Sequence, residues 1–166
     1  MRISKSFIRF LKSFGYAARG IASAVRTERN LRFHLGAAAF VIWIMRFYDL
    51  TGAESAVLFL CIGGVIGAEL FNTAAESLVD LVTKDRNDIA KKAKDCASGA
   101  VLVMALVSVI CGVFILWDTA VFAHIWTVMT DKAWRMAAFL ALLLLWLWFV
   151  FCFGDNKDKE VNDNEQ

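Results

Sequence analysis

The stretch "GAELFNTAAESLVD", residues 67–80, sets Glu69, Asn72, Glu76 and Asp80 into an otherwise apolar run. At roughly 100° per residue on an α-helix, Asn72, Glu76 and Asp80 fall within about 60° of Glu69, so the four groups share one stripe. The remaining faces are Ala, Leu, Phe and Val. Aligned carboxylates in or near a membrane are expensive unless they are used. The bland readings are a solvated helix end, an interhelical contact, or a partner for a basic loop.

The surrounding composition is that of a membrane protein. The chain has 166 residues, 59% of them hydrophobic, and no proline. The expected fold is all-α, an integral membrane helical bundle. Apolar stretches at roughly 33–50, 53–75, 97–117 and 135–153 approach the ~20 residues needed to cross a ~30 Å hydrocarbon layer. The first is short and is interrupted by Arg46. A second span that starts near Gly52 and runs ~20 residues brings Glu69 and Asn72 to its far boundary, with Glu76 and Asp80 beyond it. The acids therefore sit where a lipid head group and a cytosolic solute meet.

Lysine and arginine set the orientation. Residues 1–32 carry eight basic residues against one acid, Glu28, and residues 83–95 carry five against three acids, whereas the turn at 49–54 has no basic residue. The positive-inside rule puts the N-terminus and the 83–95 loop in the cytoplasm and turns 49–54 and about 118–133 outward. Four spans return the tail 154–166 to the cytoplasm. Residues 1–32 lack the compact apolar core of a cleavable signal. With no nucleic-acid motif present, the basic residues face anionic lipid or nucleotide.

In residues 2–25, Ile3, Phe7, Phe10, Leu11, Phe14, Ala18, Ile21 and Val25 recur at three- and four-residue steps with basic residues between them. That is an amphipathic helix on the inner leaflet. Gly63 and Gly67 form a GxxxG motif that predicts close helix packing. Cys61, Cys96, Cys111 and Cys152 lack CxxC spacing and read as buried, reduced side chains; His34 and His124 are too far apart to suggest a metal site. The loop "TKDRNDIAKKAKDCASGAV", residues 83–101, brings Lys84, Arg86, Lys91, Lys92, Lys94 and Asp95 to the side of the acids. Carboxylates around a hard cation, opposite amines, make a sensible phosphate site, although a positive-inside loop looks much the same. GxxxxGK[ST], HRD and DFG are absent, which excludes the common soluble ATP sites as motifs.

"ELFNTAAESLVDLV", followed by "AKKAKDCASGAVLV" and preceded by "RTERNLRFHL", closely resembles the small prokaryotic diacylglycerol kinase and undecaprenol kinase family over about residues 5–117. The resemblance implies a homotrimer of three-span subunits with an amphipathic surface helix, which transfers the γ-phosphoryl group of Mg-ATP to a lipid hydroxyl. Carried over residue by residue, it makes Glu69 the general base and Asn72 the neighbour that holds it. Glu28 and Glu76 become ligands of Mg²⁺, Lys94 neutralises phosphate charge, and Asp95 helps to hold the nucleotide. Arg9 and Tyr16 match nucleotide-contacting positions, with Arg9 also beside the lipid, and Ser98 matches a lipid-contacting position. Asp85, Arg86 and Asn87 correspond by spacing to a nucleotide-contacting loop whose residue types differ. "RTERNLRFHL" resembles the undecaprenol kinase branch more than the diacylglycerol kinase branch. Phosphoryl transfer asks mainly for positioning and charge neutralisation, so this short residue set is chemically sufficient.

The resulting organisation is a cytoplasmic surface helix over 1–32, a three-span lipid kinase core over 33–117, an outer segment and extra span over 118–153, and a charged cytoplasmic tail over 154–166. The setting the resemblance implies is a prokaryotic cytoplasmic (inner) membrane. The extra span departs from the family's three, and its Trp134, Trp146 and Trp148 read as interface anchors. A transporter or a non-enzymatic scaffold would also use membrane carboxylates or GxxxG packing. A transporter, however, needs a polar path on both sides of its acid, and Ala56 to Ile66 is apolar or glycine.

Overall fold

The computed structural model describes residues 5–85 and 87–153; residues 1–4, Arg86 and the tail 154–166 lie outside the described residues. The described residues form six helices: α1 (Lys5–Thr27), α2 (Arg29–Met45), α3 (Gly52–Val82), α4 (Asp88–Leu116), α5 (Thr119–Thr130) and α6 (Ala133–Phe151). Three of them, α3, α4 and α6, are long and apolar enough to cross a membrane. The first apolar stretch becomes α2, which has 17 residues and falls short of the spans. Its reach is ~26 Å at 1.5 Å per residue. Polar residues bound it, with Arg29 and Arg32 in its first turn and Arg46 at its end.

Local chemistry fixes the helix starts. At α3 the Thr51 hydroxyl accepts the Glu54 N–H at 3.2 Å while the Glu54 carboxylate accepts the Thr51 N–H at 2.8 Å, a reciprocal capping box. Asn87 Oδ1 accepts the N–H groups of Ile89 and Ala90 to start α4, and Asp118 does the same for Ala120 and Val121 at α5. The surface helix breaks at Glu28, whose extended backbone separates α1 from α2, so Arg29 to Arg32 belong to α2. Among the described residues of α1 only Ala24 is buried, and Phe7, Phe10, Phe14 and Ile21 stay exposed, as expected of an apolar stripe turned to lipid.

Helices α3 and α4 form the most extensive pair, an antiparallel hairpin, with α2 packed on α3. They approach closely at Gly64, where the Met104 side chain occupies the space of a Cβ; a Cβ at Gly63 or Gly67 would meet nothing among the described residues. The expected GxxxG packing is thus displaced by one residue within the single chain. Only 22% of the most apolar window of α3 and 6% of those of α4 and α6 are buried, so lipid or further copies must cover the rest.

Helix α6 packs antiparallel on α2. Arg32, 5% exposed, donates through Nε and Nη2 to the Val150 carbonyl at 3.3 and 3.2 Å, and through Nη1 to the carbonyls of Val25 and Arg26. One guanidinium thereby ties the ends of α1 and α6 to the start of α2, answering unpaired helix-end carbonyls. A turn further on, a Cβ at Gly36 would lie inside the Trp146 indole, which also packs on Phe33 at 5.4 Å between ring centroids. Trp146 is therefore an interhelical packing residue, because its ring fills the gap that Gly36 leaves. Trp134 and Trp148 remain exposed.

Candidate active site

Glu69 lies on the face of α3 that meets α2 and is 2% exposed. A carboxylate so enclosed needs partners. His34 of α2 supplies one, its Nε2 3.4 Å from Glu69 Oε1, an ion pair whenever the imidazole is protonated. Thr73 Oγ donates to the Glu69 carbonyl at 3.0 Å, which fastens the same turn.

One turn along the stripe, Asn72 is 7% exposed and joins α3 to α4. Its Nδ2 donates to Glu76 Oε1 at 3.0 Å, and its Oδ1 accepts the Ser98 hydroxyl at 3.4 Å. A carboxylate only accepts, so the amide must turn its nitrogen to Glu76, and its oxygen is then free for Ser98. At the outer end Lys94 Nζ donates to Asp80 Oδ1 at 2.6 Å. The stripe thus grades over ~17 Å from the enclosed Glu69 to the exposed Asp80–Lys94 pair. Glu28, half-buried at the break between α1 and α2, and Glu76 both lie within electrostatic reach of Glu69.

Among the described residues no group of three or more His, Cys, Asp or Glu side chains gathers at metal-binding spacing. Mg²⁺ is commonly held by only one or two carboxylates, its other positions going to water and phosphate oxygens. Glu76 leaves room for that mode: its contact with Asn72 uses Oε1, and among the described residues Oε2 has no hydrogen-bond donor.

The structure brings together Glu69, Asn72, Glu76 and Ser98, with Glu28 close by and Lys94 at the stripe's outer end. Arg9 and Tyr16 stay on exposed faces of α1, and among the described residues neither bonds to the carboxylates. Tyr16 instead stacks under the Arg19 guanidinium at 4.8 Å. Asp95 is exposed beside Lys94. In the loop, the Asp85 N–H donates to Thr83 Oγ at 3.2 Å, the oxygen of Asn87 is engaged by its cap, and Arg86 lies outside the described residues. Two partnerships were missed in the sequence, His34 with Glu69 and Asp80 with Lys94. A histidine early in an apolar segment was the available signal for the first.

The family model for prokaryotic diacylglycerol kinase matches residues 15–116. The chain is 48% identical over 107 residues to an undecaprenol kinase of Bacillus subtilis, covering 64% of this chain and 87% of that protein. It is 45% identical over 103 residues to a diacylglycerol kinase of Synechocystis, covering 61% of this chain and 59% of the relative. A diacylglycerol kinase of Escherichia coli is 29% identical over 112 residues, covering 68% and 92%. The family match takes in α2, α3 and α4 and stops at the end of α4, so α5 and α6 lie beyond it.

Proposed function

The chain belongs to the prokaryotic diacylglycerol kinase family, and on that premise we propose that this membrane lipid kinase phosphorylates undecaprenol to undecaprenyl phosphate. The identity to an undecaprenol kinase, which extends over 87% of that protein, favours this acceptor over diacylglycerol. The observation that carries the mechanism is the enclosed Glu69, met by His34 near the end of a membrane span, with the Asn72–Glu76 pair one to two turns further along the same stripe; among the described residues Asn72 bonds to Glu76 and Ser98 and not to Glu69.

Glu69 accepts the proton of the lipid hydroxyl as its oxygen bonds to the γ-phosphorus of ATP. The bond from that phosphorus to the β–γ bridging oxygen breaks, and ADP leaves. Asn72 holds Glu76 in place, and Ser98 reaches the same amide from α4. Glu28 and Glu76 would hold Mg²⁺, which would supply charge neutralisation to the phosphates. Lys94, kept at the stripe by Asp80, adds a second cation toward the nucleotide, and Asp95 lies beside it. Arg9 and Tyr16 reach the nucleotide or lipid from α1, and the 83–87 loop borders it.

The setting is a prokaryotic cytoplasmic membrane with the acidic end of α3 inside. We take the assembly to be a homotrimer; the exposed apolar faces of α3 and α4 leave surface for further copies. Purified protein incubated with Mg-[γ-³²P]ATP and equal amounts of undecaprenol and dioleoylglycerol tests the reading. Faster labelling of undecaprenol is expected; preferential labelling of dioleoylglycerol would replace the acceptor, and no labelled lipid would overturn the assignment.

A further inference from the structure

Helices α5 and α6, which the family match does not reach, wall a cleft of about 980 Å³ against α2. That is at the top of the roughly 300–1,000 Å³ range of small-ligand sites. Its walls are apolar, with Phe40, Trp43, Phe139 and Leu142 among them, and Arg46 and Arg135 also line it. Neither Glu69 nor any other member of the acidic stripe does.

The two arginines sit at one end. Helix α2 starts at the acidic site, where His34 meets Glu69, and ends at Arg46. The bonds from Arg32 to the Val150 carbonyl bring the last turn of α6 to the start of α2, so Arg135 in the first turn of α6 comes to the Arg46 end. Arg46 is ~18 Å along α2 from His34. The pair therefore lies toward the membrane face opposite the kinase site.

Their donors are only partly used. Arg135 commits Nη1 to the Val128 carbonyl at 3.1 Å and to Asp131 at 3.4 Å, and among the described residues its Nε and Nη2 have no acceptor. The Arg46 side chain makes no hydrogen bond or ion pair among the described residues. The charges of Arg46, Arg135 and Asp131 sum to one net positive charge. An exposed guanidinium with donors to spare at one end of an apolar cleft matches an ionised phosphodiester with an attached hydrocarbon chain, because arginine meets phosphate in a planar, two-point contact.

We propose that this cleft binds one anionic glycerophospholipid of the leaflet opposite the kinase site, its phosphate at Arg46 and Arg135 and an acyl chain along Phe40, Trp43 and Phe139. Delipidated full-length protein, titrated with phosphatidylglycerol or phosphatidylcholine of identical chains and read by native mass spectrometry, tests this independently of kinase activity. Phosphatidylglycerol should bind in preference, and the pair Arg46→Gln and Arg135→Gln should weaken it about 10-fold, the loss of a charged hydrogen bond, while phosphorylation is unchanged. Ala138→Trp, which fills the cleft and replaces neither arginine, should abolish the preference. Equal binding of the two lipids, or wild-type binding in both kinds of variant, would overturn the proposal. So would an undecaprenol or diacylglycerol molecule retained there instead, or a second copy of the chain shown by cross-linking to cover the cleft.

Discussion

His34 Nε2 stands 3.4 Å from Glu69 Oε1, so the carboxylate most enclosed in α3 is met by an imidazole from α2. The contact fixes where the base points relative to the break at Glu28, six residues before His34 in the chain. His34→Ala leaves the Glu69 side chain without this partner and free to swing. The expected result is a fall in kcat with KM for ATP unchanged, smaller than the loss from removing the base itself. An unaltered kcat would show that α2 does not position Glu69.

Glu69→Gln keeps shape and removes the proton acceptor. The variant should assemble and bind ATP nearly as the wild type does, yet lose phosphoryl transfer by ~10²-fold or more, as when a general base is removed. Nucleotide binding by calorimetry and lipid labelling separate the two effects. Retained lipid phosphorylation would sink the role.

Glu28→Gln and Glu76→Gln each remove one carboxylate from a hard cation, so each should raise the Mg²⁺ concentration needed for half-maximal activity. Glu76→Gln also replaces the acceptor of the Asn72 amide with a group that can only half imitate it. The rate at saturating Mg²⁺ should therefore fall further in that variant than in Glu28→Gln. Mg²⁺ titrations unchanged in both would contradict the metal role.

The long elements were legible because their causes are local. The stripe of Glu69, Asn72, Glu76 and Asp80 follows from helical period, and the last apolar run ends up within two residues of its expected limits as α6. What could not be read was which faces meet. Periodicity marks a histidine in α2 and a carboxylate in α3 without saying that they touch, since only the packing of the two helices decides that. The close approach at Gly64 in place of Gly63 and Gly67 has the same origin: all are glycines, and the facing Met104 selects one. Helix α5 went unread because Thr119–Thr130 is too short to span a membrane and has no charged face to mark its period.

Gly36 should be intolerant of side chains, because any Cβ there collides with the Trp146 ring. Gly36→Val forces α2 and α6 apart and should cost roughly 1–3 kcal/mol by overpacking, read as a lower thermal midpoint in detergent. The compensating pair Gly36→Val with Trp146→Ala should recover part of that loss. A single variant as stable as the wild type would mean that the two helices do not pack at this point.

Removing α5 and α6 by truncation after Trp117 should lower stability and spare chemistry. Glu28, Glu69, Asn72, Glu76, Lys94, Asp95 and Ser98 all precede the cut, and no described hydrogen bond or ion pair joins any of them to residues 118–153. Among the described residues the hydrogen-bonded link to this end of α2 runs through Arg32 alone: truncation deprives its Nε and Nη2 of the Val150 carbonyl, while Nη1 keeps Val25 and Arg26. A buried guanidinium that loses an acceptor costs on the order of 1–3 kcal/mol, and the exposed Gly36 face adds lost packing. The truncated protein should therefore unfold at lower temperature yet phosphorylate lipid at a rate within about 3-fold of the full chain, since the loss falls on the ground-state fold and not on a transition-state contact. Lipid labelling beside a melting curve checks both halves. A truncated protein that assembles normally but phosphorylates no lipid would show that α6 reaches the chemistry through Arg32 and the start of α2.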